Sequence, residues 1–307
     1  MKPTSGSRGS VHASIEEDML KHSMQQITPP IVWNALRWLH HRIIGSPGGS
    51  KQPDALELRY RENNAGLDSD TIVLRPGIEL HIHPDSREAF EHFCFLSPAM
   101  VSEMDAFLNA AKGRNRLLDI GALHGIFSLA FAALSPDNGA LAVDASPLAF
   151  ARLLYNIHKN GFRNIKPVEC AISDRSGTLA MHYEWEHLVA AGTESSERSI
   201  RVPMNTGDAI CRAENFQPDI VKIDVEGHEI RVLQGLAGTI RENSPLVFLE
   251  IHPQKIREEG DRASFLESFW KELGYAAAFV SGEPFPLSSF DELTATERLI
   301  LSRESGS

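Results

Sequence analysis

The stretch RLLDIGALHGIFSLAF, residues 116–131, decides the fold. Residues 116–122 are an apolar run that meets an acid and a glycine, which predicts a strand with a tight turn. Residues 125–135 have the length and apolar content of a helix. A strand followed by a turn and a helix is the unit from which parallel sheets are built.

The same alternation continues downstream. Further strands are predicted over 139–145, 165–173, 219–225, 245–252, 275–281 and 298–302. Helices are predicted from Pro147 to about residue 160, after the 219–225 strand, and over 261–273, while 177–184 and 198–204 suit an antiparallel excursion. The expected fold is an α/β, mostly parallel seven-stranded sheet with helices on both faces. Ligands of such sheets bind beyond the carboxyl ends of the strands, where strand order reverses.

Composition excludes some classes of protein. The chain has 307 residues and a formal net charge of -11, which argues against the clustered basic surface that nucleic acids require. No run approaches the roughly 18 apolar residues of a transmembrane helix. The three cysteines form no metal-binding pair, so we expect reduced thiols and a cytoplasmic location.

The chain divides into three predicted regions. They are residues 1–54 (a disordered N-terminus, a short amphipathic helix over 31–44 and a linker), residues 55–115 (a cap segment on the substrate side) and residues 116–303 (the catalytic domain). The segment over 184–200, with Trp185 and His187, is a candidate wall for a substrate-binding site. No sequence feature indicates an oligomeric state.

The first glycine turn carries chemical information. It has the pattern D-x-G-x-x-x-G, formed by Asp119, Gly121 and Gly125. Glycines allow the backbone to approach a ligand closely. A carboxylate beside the turn would repel a pyrophosphate but would suit a ligand with an ammonium group, such as S-adenosylmethionine.

Acids at the next strand ends fit the same ligand. Asp144 follows the second strand, where a carboxylate can accept both ribose hydroxyls, while Ser146 is better placed to cap the helix at Pro147. Asp174 lies where an adenine ring would bind, although Ser-Asp-x-Ser-Gly is also an ordinary turn. The predicted cofactor contacts are Asp119, Gly121, Ala122, Gly125, Asp144, Ala171 and Asp174.

An acidic cluster follows the fourth strand, in PDIVKIDVEGHE, residues 218–229. Asp224 lies at the end of a central strand and is the best candidate for a functional carboxylate. Glu226 has a weaker claim to face the site. Glu229 falls in the first turn of the next helix, where a negative charge favours the helix dipole, so we interpret it as structural.

Five segments together carry a family resemblance. LLDIGALHGIFSLAF, AVDASPLAFARLLYNIHKNG, CAISDRSGTL, DIVKIDVEGHEIRVLQG and PLVFLEIH resemble, in order and spacing, the FkbM family of S-adenosylmethionine-dependent methyltransferases. The combination of KIDVEG, a Glu two residues later, and LEIH is the specific part. The resemblance covers about 115–252.

The resemblance implies a Rossmann-like class I methyltransferase fold and methyl transfer, usually to a hydroxyl oxygen of a saccharide or natural product. The chain departs from the family at three places. Leu123 replaces a usual Asn, Asp144-Ala145 replaces a usual Glu-Pro, and His228 replaces a usual small residue.

A hydroxyl acceptor benefits from a general base. The predicted catalytic residues are His252, Glu250 and Asp224, of which only His252 has an unperturbed pKa near neutrality. Together with Glu226 these side chains are also conceivable ligands for Mg²⁺ or Mn²⁺, but their spacing matches no metal motif, so we predict no metal site.

Two other functions compete with a methyltransferase. A non-catalytic module that binds S-adenosylmethionine would keep the fold without the chemistry. A nicotinamide-dependent oxidoreductase would need a glycine loop that tolerates phosphate, and Asp119 argues against it.

Overall fold

The computed structural model describes residues 69–184, 187–190, 200–262 and 264–303. The region 1–54, its predicted helix over 31–44, and Trp185 lie outside the described residues. In the described part, no helix has both the length and the apolar character needed to cross a membrane.

Fourteen strands occur in the described residues. They are β1 (Asp70–Arg75), β2 (Ile78–Ile82), β3 (Arg116–Ile120), β4 (Gly139–Asp144), β5 (Ile165–Glu169), β6 (Ala171–Ile172), β7 (Gly177–Glu184), β8 (His187–Ala190), β9 (Ile200–Asn205), β10 (Ile220–Ile223), β11 (Leu246–Ile251), β12 (Tyr275–Phe279), β13 (Pro284–Phe285) and β14 (Glu297–Arg303).

Eight α-helices accompany these strands in the same residues. They are α1 (Arg87–Glu91), α2 (Pro98–Ala110), α3 (Ile126–Leu134), α4 (Pro147–Lys159), α5 (Gly207–Ala213), α6 (Glu229–Asn243), α7 (Pro253–Glu258) and α8 (Ser264–Leu273). Ser146 caps α4 as predicted, because its side-chain oxygen accepts a hydrogen bond from the backbone N–H of Ala149.

The main sheet has the order β13-β12-β14-β11-β10-β3-β4-β5. Strands β5, β4, β3, β10 and β11 are parallel, and β14 runs antiparallel between β11 and β12. The chain moves outward from β3 in one direction and from β10 in the other, so right-handed crossovers place the helices of the two halves on opposite faces. This order confirms the predicted Rossmann-like class I methyltransferase fold.

The predicted count of seven strands is wrong, because the sheet has eight. The additional strand, β13, has two residues and pairs with Ala277 and Ala278 at the edge of the sheet. Pro284 has no N–H to donate, which is tolerated at an edge strand. Two residues are too few to produce a periodic signal in the sequence.

The prediction of a single strand over 165–173 is also wrong. β5 ends at Glu169, and β6 leaves the main sheet to pair with β9 in a second sheet of order β6-β9-β7-β8. Pro167 fits the position of β5 at the edge of the main sheet. The predicted antiparallel excursion is confirmed by the pairing of β7 with β9.

The segment before β3 shares the hydrophobic core of the main sheet. Phe107 of α2 packs edge-on against Phe127 of α3 and Phe248 of β11, with ring centroids 4.9 and 5.5 Å apart. The β1–β2 hairpin buries Leu74, Leu80 and Ile82 in the same cluster. Consequently, the described part of the predicted cap segment supports the sheet from one face.

Candidate active site

A cavity opens at the carboxyl edge of the main sheet, where strand order reverses between β3 and β10. Three predicted cofactor residues line it, namely Gly121, Asp144 and Ala171. Asp224 and Glu226 supply acidic groups to the same cavity. Its apolar wall includes Ile172, Leu179 and Met181. The structure therefore brings together residues from four separate strand ends.

Gly121 makes the closest approach between two strand ends. Its φ is +77°, and a Cβ added to it would lie 1.7 Å from the backbone oxygen of Asp224. The N–H groups of Gly121 and Ala122 both donate to the carbonyl of Val143, at 2.9 and 3.0 Å. The turn after β3 is thus held between the ends of β4 and β10, and only glycine fits there.

Gly121→Ala tests this close approach against a matched glycine. Gly113 has a nearly identical φ of +80°, but a Cβ there meets nothing within 4 Å. We expect Gly113→Ala to lower the free energy of unfolding by about 1 kcal/mol, the cost of a left-handed backbone. Gly121→Ala should lower it clearly more, because the Asp224 carbonyl must also move. Urea denaturation of both variants gives the comparison, and equal losses would contradict the proposed clash.

Asp144 is buried and divides its oxygens between two backbone donors. The N–H of Leu123 donates to Oδ2 at 2.7 Å, and the N–H of Ser146 donates to Oδ1 at 2.8 Å. Burial raises the pKa of Asp144 to about 7, although both hydrogen bonds oppose the rise. Each oxygen keeps further acceptor capacity for a ligand.

Asp119 lies beneath the turn and does not line the cavity described above. Its Oδ2 accepts hydrogen bonds from the hydroxyl of Ser128 at 2.6 Å and from the backbone N–H of Ser128 at 3.1 Å. Burial raises the pKa of Asp119 to about 6, and the Ser128 hydroxyl opposes the rise. These contacts give Asp119 a role in fixing the start of α3, and its contact with a cofactor stays a prediction.

Three other predicted cofactor residues do not line this cavity either. Ala122 and Gly125 close the turn before α3, since the Gly125 N–H donates to the Ala122 carbonyl at 2.7 Å. Asp174 lies 3.3 Å from both Arg175 and Arg231. These ion pairs favour the turn interpretation of Asp174 over the adenine contact.

The carboxylates of Asp224 and Glu250 interact at the ends of β10 and β11. Burial and the charge of Asp224 raise the pKa of Glu250 to about 8. Burial alone would raise the pKa of Asp224, yet the charges of Lys222 and His252 hold it below its ordinary value. Of this pair, Glu250 therefore holds a proton more strongly, and Asp224, which faces the cavity, ionises first.

Sequence reasoning missed the buried charges below these carboxylates. The ammonium of Lys222, which is 1% exposed, lies 3.0 Å from Glu103 of α2, 3.6 Å from Glu250 and 3.8 Å from Asp224. Arg298 of β14 bridges Glu103 and Glu250. A lysine inside the apolar run IVKI was the available signal, since a buried ammonium requires carboxylate partners.

The balance of charge decides the protonation of this cluster. Burial alone would lower the pKa of Lys222, but the carboxylates of Glu103, Asp224 and Glu250 hold it above its ordinary value. Its Nζ also lies 5.1 Å from the centre of the Phe127 ring. Lys222 is therefore a permanent positive charge under the site.

Lys222→Met should be strongly destabilising, because it leaves buried carboxylates without their ammonium partner. We expect the free energy of unfolding to fall by about 3–5 kcal/mol. Lys166→Met is the matched control, since Lys166 is a strand lysine whose ion pair with Glu214 is exposed; its loss should stay below about 1 kcal/mol. Adding Glu103→Gln to Lys222→Met should recover part of the loss. A double variant that is no more stable than Lys222→Met would contradict the coupling.

His252 is held by a carboxylate that the sequence analysis interpreted as structural. Nδ1 of His252 lies 2.7 Å from Oε1 of the fully buried Glu229, whose same oxygen accepts the N–H of Gly227. Nε2 of His252 lies 3.5 Å from Glu226 and 3.8 Å from Glu250. Burial alone would lower the pKa of His252, but the hydrogen bond and charge of Glu229 raise it to about 9. Glu229 therefore sets the protonation of His252.

Asp224, Glu226 and His252 are also close enough to share a divalent cation. One possible ligand atom of each residue lies within 4.8 Å of those of the other two. Among the described residues, these three form the group of His, Cys, Asp or Glu side chains found close enough together to hold a metal ion. However, the Lys255 ammonium lies 2.9 Å from Glu226, and His252 keeps its proton at neutral pH. These positive charges oppose a metal ion, so we derive no step that depends on one.

The family assignment follows from the sequence of this core. Residues 119–277, just over half of the chain, match the Methyltransferase FkbM domain. The chain belongs to the FkbM methyltransferase family. The matched residues contain the glycine turn, Asp144, Asp224, Glu229 and His252.

A curated relative is similar to part of the chain. Hexuronic acid methyltransferase AglP of Haloferax volcanii is 29% identical over 148 residues, which are 47% of this chain and 59% of AglP. The chain thus matches little more than half the length of that curated relative.

Two solved structures resemble the chain with low TM-scores and low sequence identity. A methyltransferase FkbM of Methylobacillus flagellatus KT has a TM-score of 0.41 at 14% identity, covering 61% of this chain and 43% of that one. A putative caffeoyl-CoA O-methyltransferase of Staphylococcus aureus has a TM-score of 0.41 at 14% identity, covering 71% and 90%. The fold assignment therefore rests on the topology of this chain itself.

All three departures from the usual FkbM sequence lie in the cavity wall. Leu123 has a φ of +49°, a left-handed conformation that Asn adopts more easily than Leu. His228 lies 3.0 Å from both Ser173 and Glu259. Glu226, with a φ of +53°, is a second non-glycine residue of the cavity wall in the left-handed conformation. Such strain persists only where the surroundings impose it, which is common at functional sites.

Proposed function

We propose that this protein is an S-adenosylmethionine-dependent methyltransferase that methylates a hydroxyl oxygen of a saccharide. The observation that carries the proposal is the convergence of the Gly121 turn, Asp144 and the ionised Asp224 on one cavity. Membership of the FkbM family supports methyl transfer. The name of the Haloferax volcanii relative, a hexuronic acid methyltransferase, supports a saccharide acceptor.

The residues around the cavity fit this cofactor. Asp144 retains an acceptor position on each oxygen, as two ribose hydroxyls require. Gly121 leaves the backbone uncovered, and Asp224 and Glu226 would supply negative charge to the ammonium and sulfonium of the cofactor. When bound, S-adenosylmethionine supplies a methyl group activated by its sulfonium.

The protein's own task is to hold the acceptor oxygen and to manage its proton. Asp224 lines the cavity, and its lowered pKa keeps it ionised, so that it can accept a hydrogen bond from an acceptor hydroxyl. Glu250 keeps a proton to about pH 8 and limits the negative charge beside Asp224. We assign the role of general base to His252. Glu229 orients its ring through Nδ1, so that Nε2 faces Glu226 and Glu250.

Binding of S-adenosylhomocysteine tests the cofactor assignment. We expect wild type to bind it in calorimetry and Asp144→Ala to bind at least about tenfold more weakly, because the ribose hydroxyls lose both oxygen acceptors of the carboxyl group. Asp137→Ala, in an exposed turn before β4, is the control and should bind as wild type does. Asp174→Ala will decide between the adenine contact and the turn role.

A wild-type protein that binds no S-adenosylhomocysteine would end the cofactor assignment. Binding of NAD in its place would favour the oxidoreductase. Binding without methylation of any glycoside offered would favour the non-catalytic module.

The pH profile tests the general base. With a pKa of about 9, His252 is protonated at neutrality and gains basic character as pH rises. We therefore expect kcat/KM to increase with pH up to about 9. In Glu229→Gln the amide still accepts the Nδ1 hydrogen bond but has no charge, so the pKa of His252 should fall and the rise should move to lower pH.

Glu272→Gln is the control for this profile, since Glu272 is an exposed carboxylate whose contact is Arg241. It should leave the profile unchanged. A profile that stays fixed in Glu229→Gln would remove His252 from the role of base.

A further inference from the structure

A second cavity lies beside His252, between the start of α7 and the loop before β14. It has a volume of about 430 Å³. Its lining includes His252, Gln254, Lys255, Glu258, Thr294 and Thr296. Of these residues, only His252 has a part in the proposed chemistry.

One carboxylate of the cofactor cavity contacts two residues that line the second cavity. Oε2 of Glu226 lies 2.9 Å from Nζ of Lys255 and 3.5 Å from Nε2 of His252. Glu226 lines the cofactor cavity, whereas Lys255 and His252 line the second one. A molecule in the second cavity would therefore contact His252, which has a ring nitrogen within 4.8 Å of carboxylate oxygens of Glu226 and Asp224.

The walls of the second cavity are fixed relative to the site. Gly227 packs so tightly against α7 that an added Cβ would lie 2.5 Å from Cβ of Lys255. Arg257 of α7 donates a hydrogen bond to the carbonyl of Leu293 at 3.3 Å, which ties the helix to the loop that carries Thr294. The second cavity is thus formed by α7 and the loop before β14, and α7 packs against the turn after β10.

The lining is suited to a hydroxylated ligand. It offers two hydroxyls, an amide, an ammonium and a carboxylate, and its apolar members are only Pro253 and Ala295. Gln254 and Glu258 already form a hydrogen bond of 3.0 Å across one wall. Such mixed donors and acceptors match the alternating hydroxyls of a sugar ring better than an aromatic or aliphatic acceptor.

We infer that the second cavity is the acceptor subsite, which binds a sugar ring through Gln254, Lys255, Thr294 and Thr296 and directs one hydroxyl toward His252 and Asp224. This inference rests on the proposed function. In-line transfer requires the acceptor oxygen and the methyl donor to converge from different sides, and two cavities that meet at Glu226 allow that geometry.

Filling the cavity provides the test. The probes are methyl β-D-glucoside and methyl β-D-glucuronoside, titrated by NMR in the presence of S-adenosylhomocysteine. Thr294→Trp, in an exposed loop, should weaken binding of the glycosides at least about tenfold, while Kd for S-adenosylhomocysteine stays unchanged. Thr71→Trp, on the exposed side of β1, is the matched control and should bind as wild type does. Gln254→Ala, which removes an exposed amide and its hydrogen bond to Glu258, should weaken binding about fivefold.

The outcomes separate the two proposals. If wild type binds S-adenosylhomocysteine but neither glycoside, or if Thr294→Trp and Gln254→Ala bind glycosides as wild type does, the acceptor subsite is overturned and the cofactor assignment stands. If S-adenosylhomocysteine does not bind, the proposed function itself fails. Tighter binding of the glucuronoside, lost in Lys255→Met, would support the subsite and identify Lys255 as the group that contacts the sugar carboxylate.

Discussion

The buried ammonium of Lys222 is the interaction on which the candidate site depends. It lies among Glu103, Asp224 and Glu250, in a position that is almost inaccessible to water. Its positive charge offsets the repulsion among these acids, and Arg298 adds a second charge beside Glu103 and Glu250. Lys222 therefore lets Asp224 stay ionised while Glu250 keeps a proton. It also joins α2, from the segment before the sheet, to the acidic edge.

A second constraint is steric and lies at the turn after β3. Gly121 allows this turn to contact the backbone of Asp224, while its N–H and that of Ala122 bind the end of β4. The same packing leaves Asp144 to accept the N–H of Leu123. Three strand ends are thereby fixed to each other through contacts that involve backbone groups. Rigid placement of this kind is what methyl transfer requires of a protein.

Local patterns in the sequence predicted much of this arrangement. Alternating strands and helices, the cap at Ser146 and the acids Asp144 and Asp224 at strand ends are all local signals, since each depends on residues adjacent in the chain. Short or irregular elements escaped the prediction. β13 has two residues, and β6 follows β5 after a single residue before it joins another sheet.

The sequence by itself determined the order of the strands and helices, and therefore which residues reach the carboxyl edge of the sheet. The charges of those residues depend instead on contacts made in the folded protein. Glu229 had the pattern of a helix-dipole residue, yet its buried contact with His252 raises the pKa of the imidazole to about 9. Glu103 gave no signal, because its partner Lys222 lies in a distant strand. Burial and charge pairing arise from contacts between remote segments, and no periodicity in the chain records them.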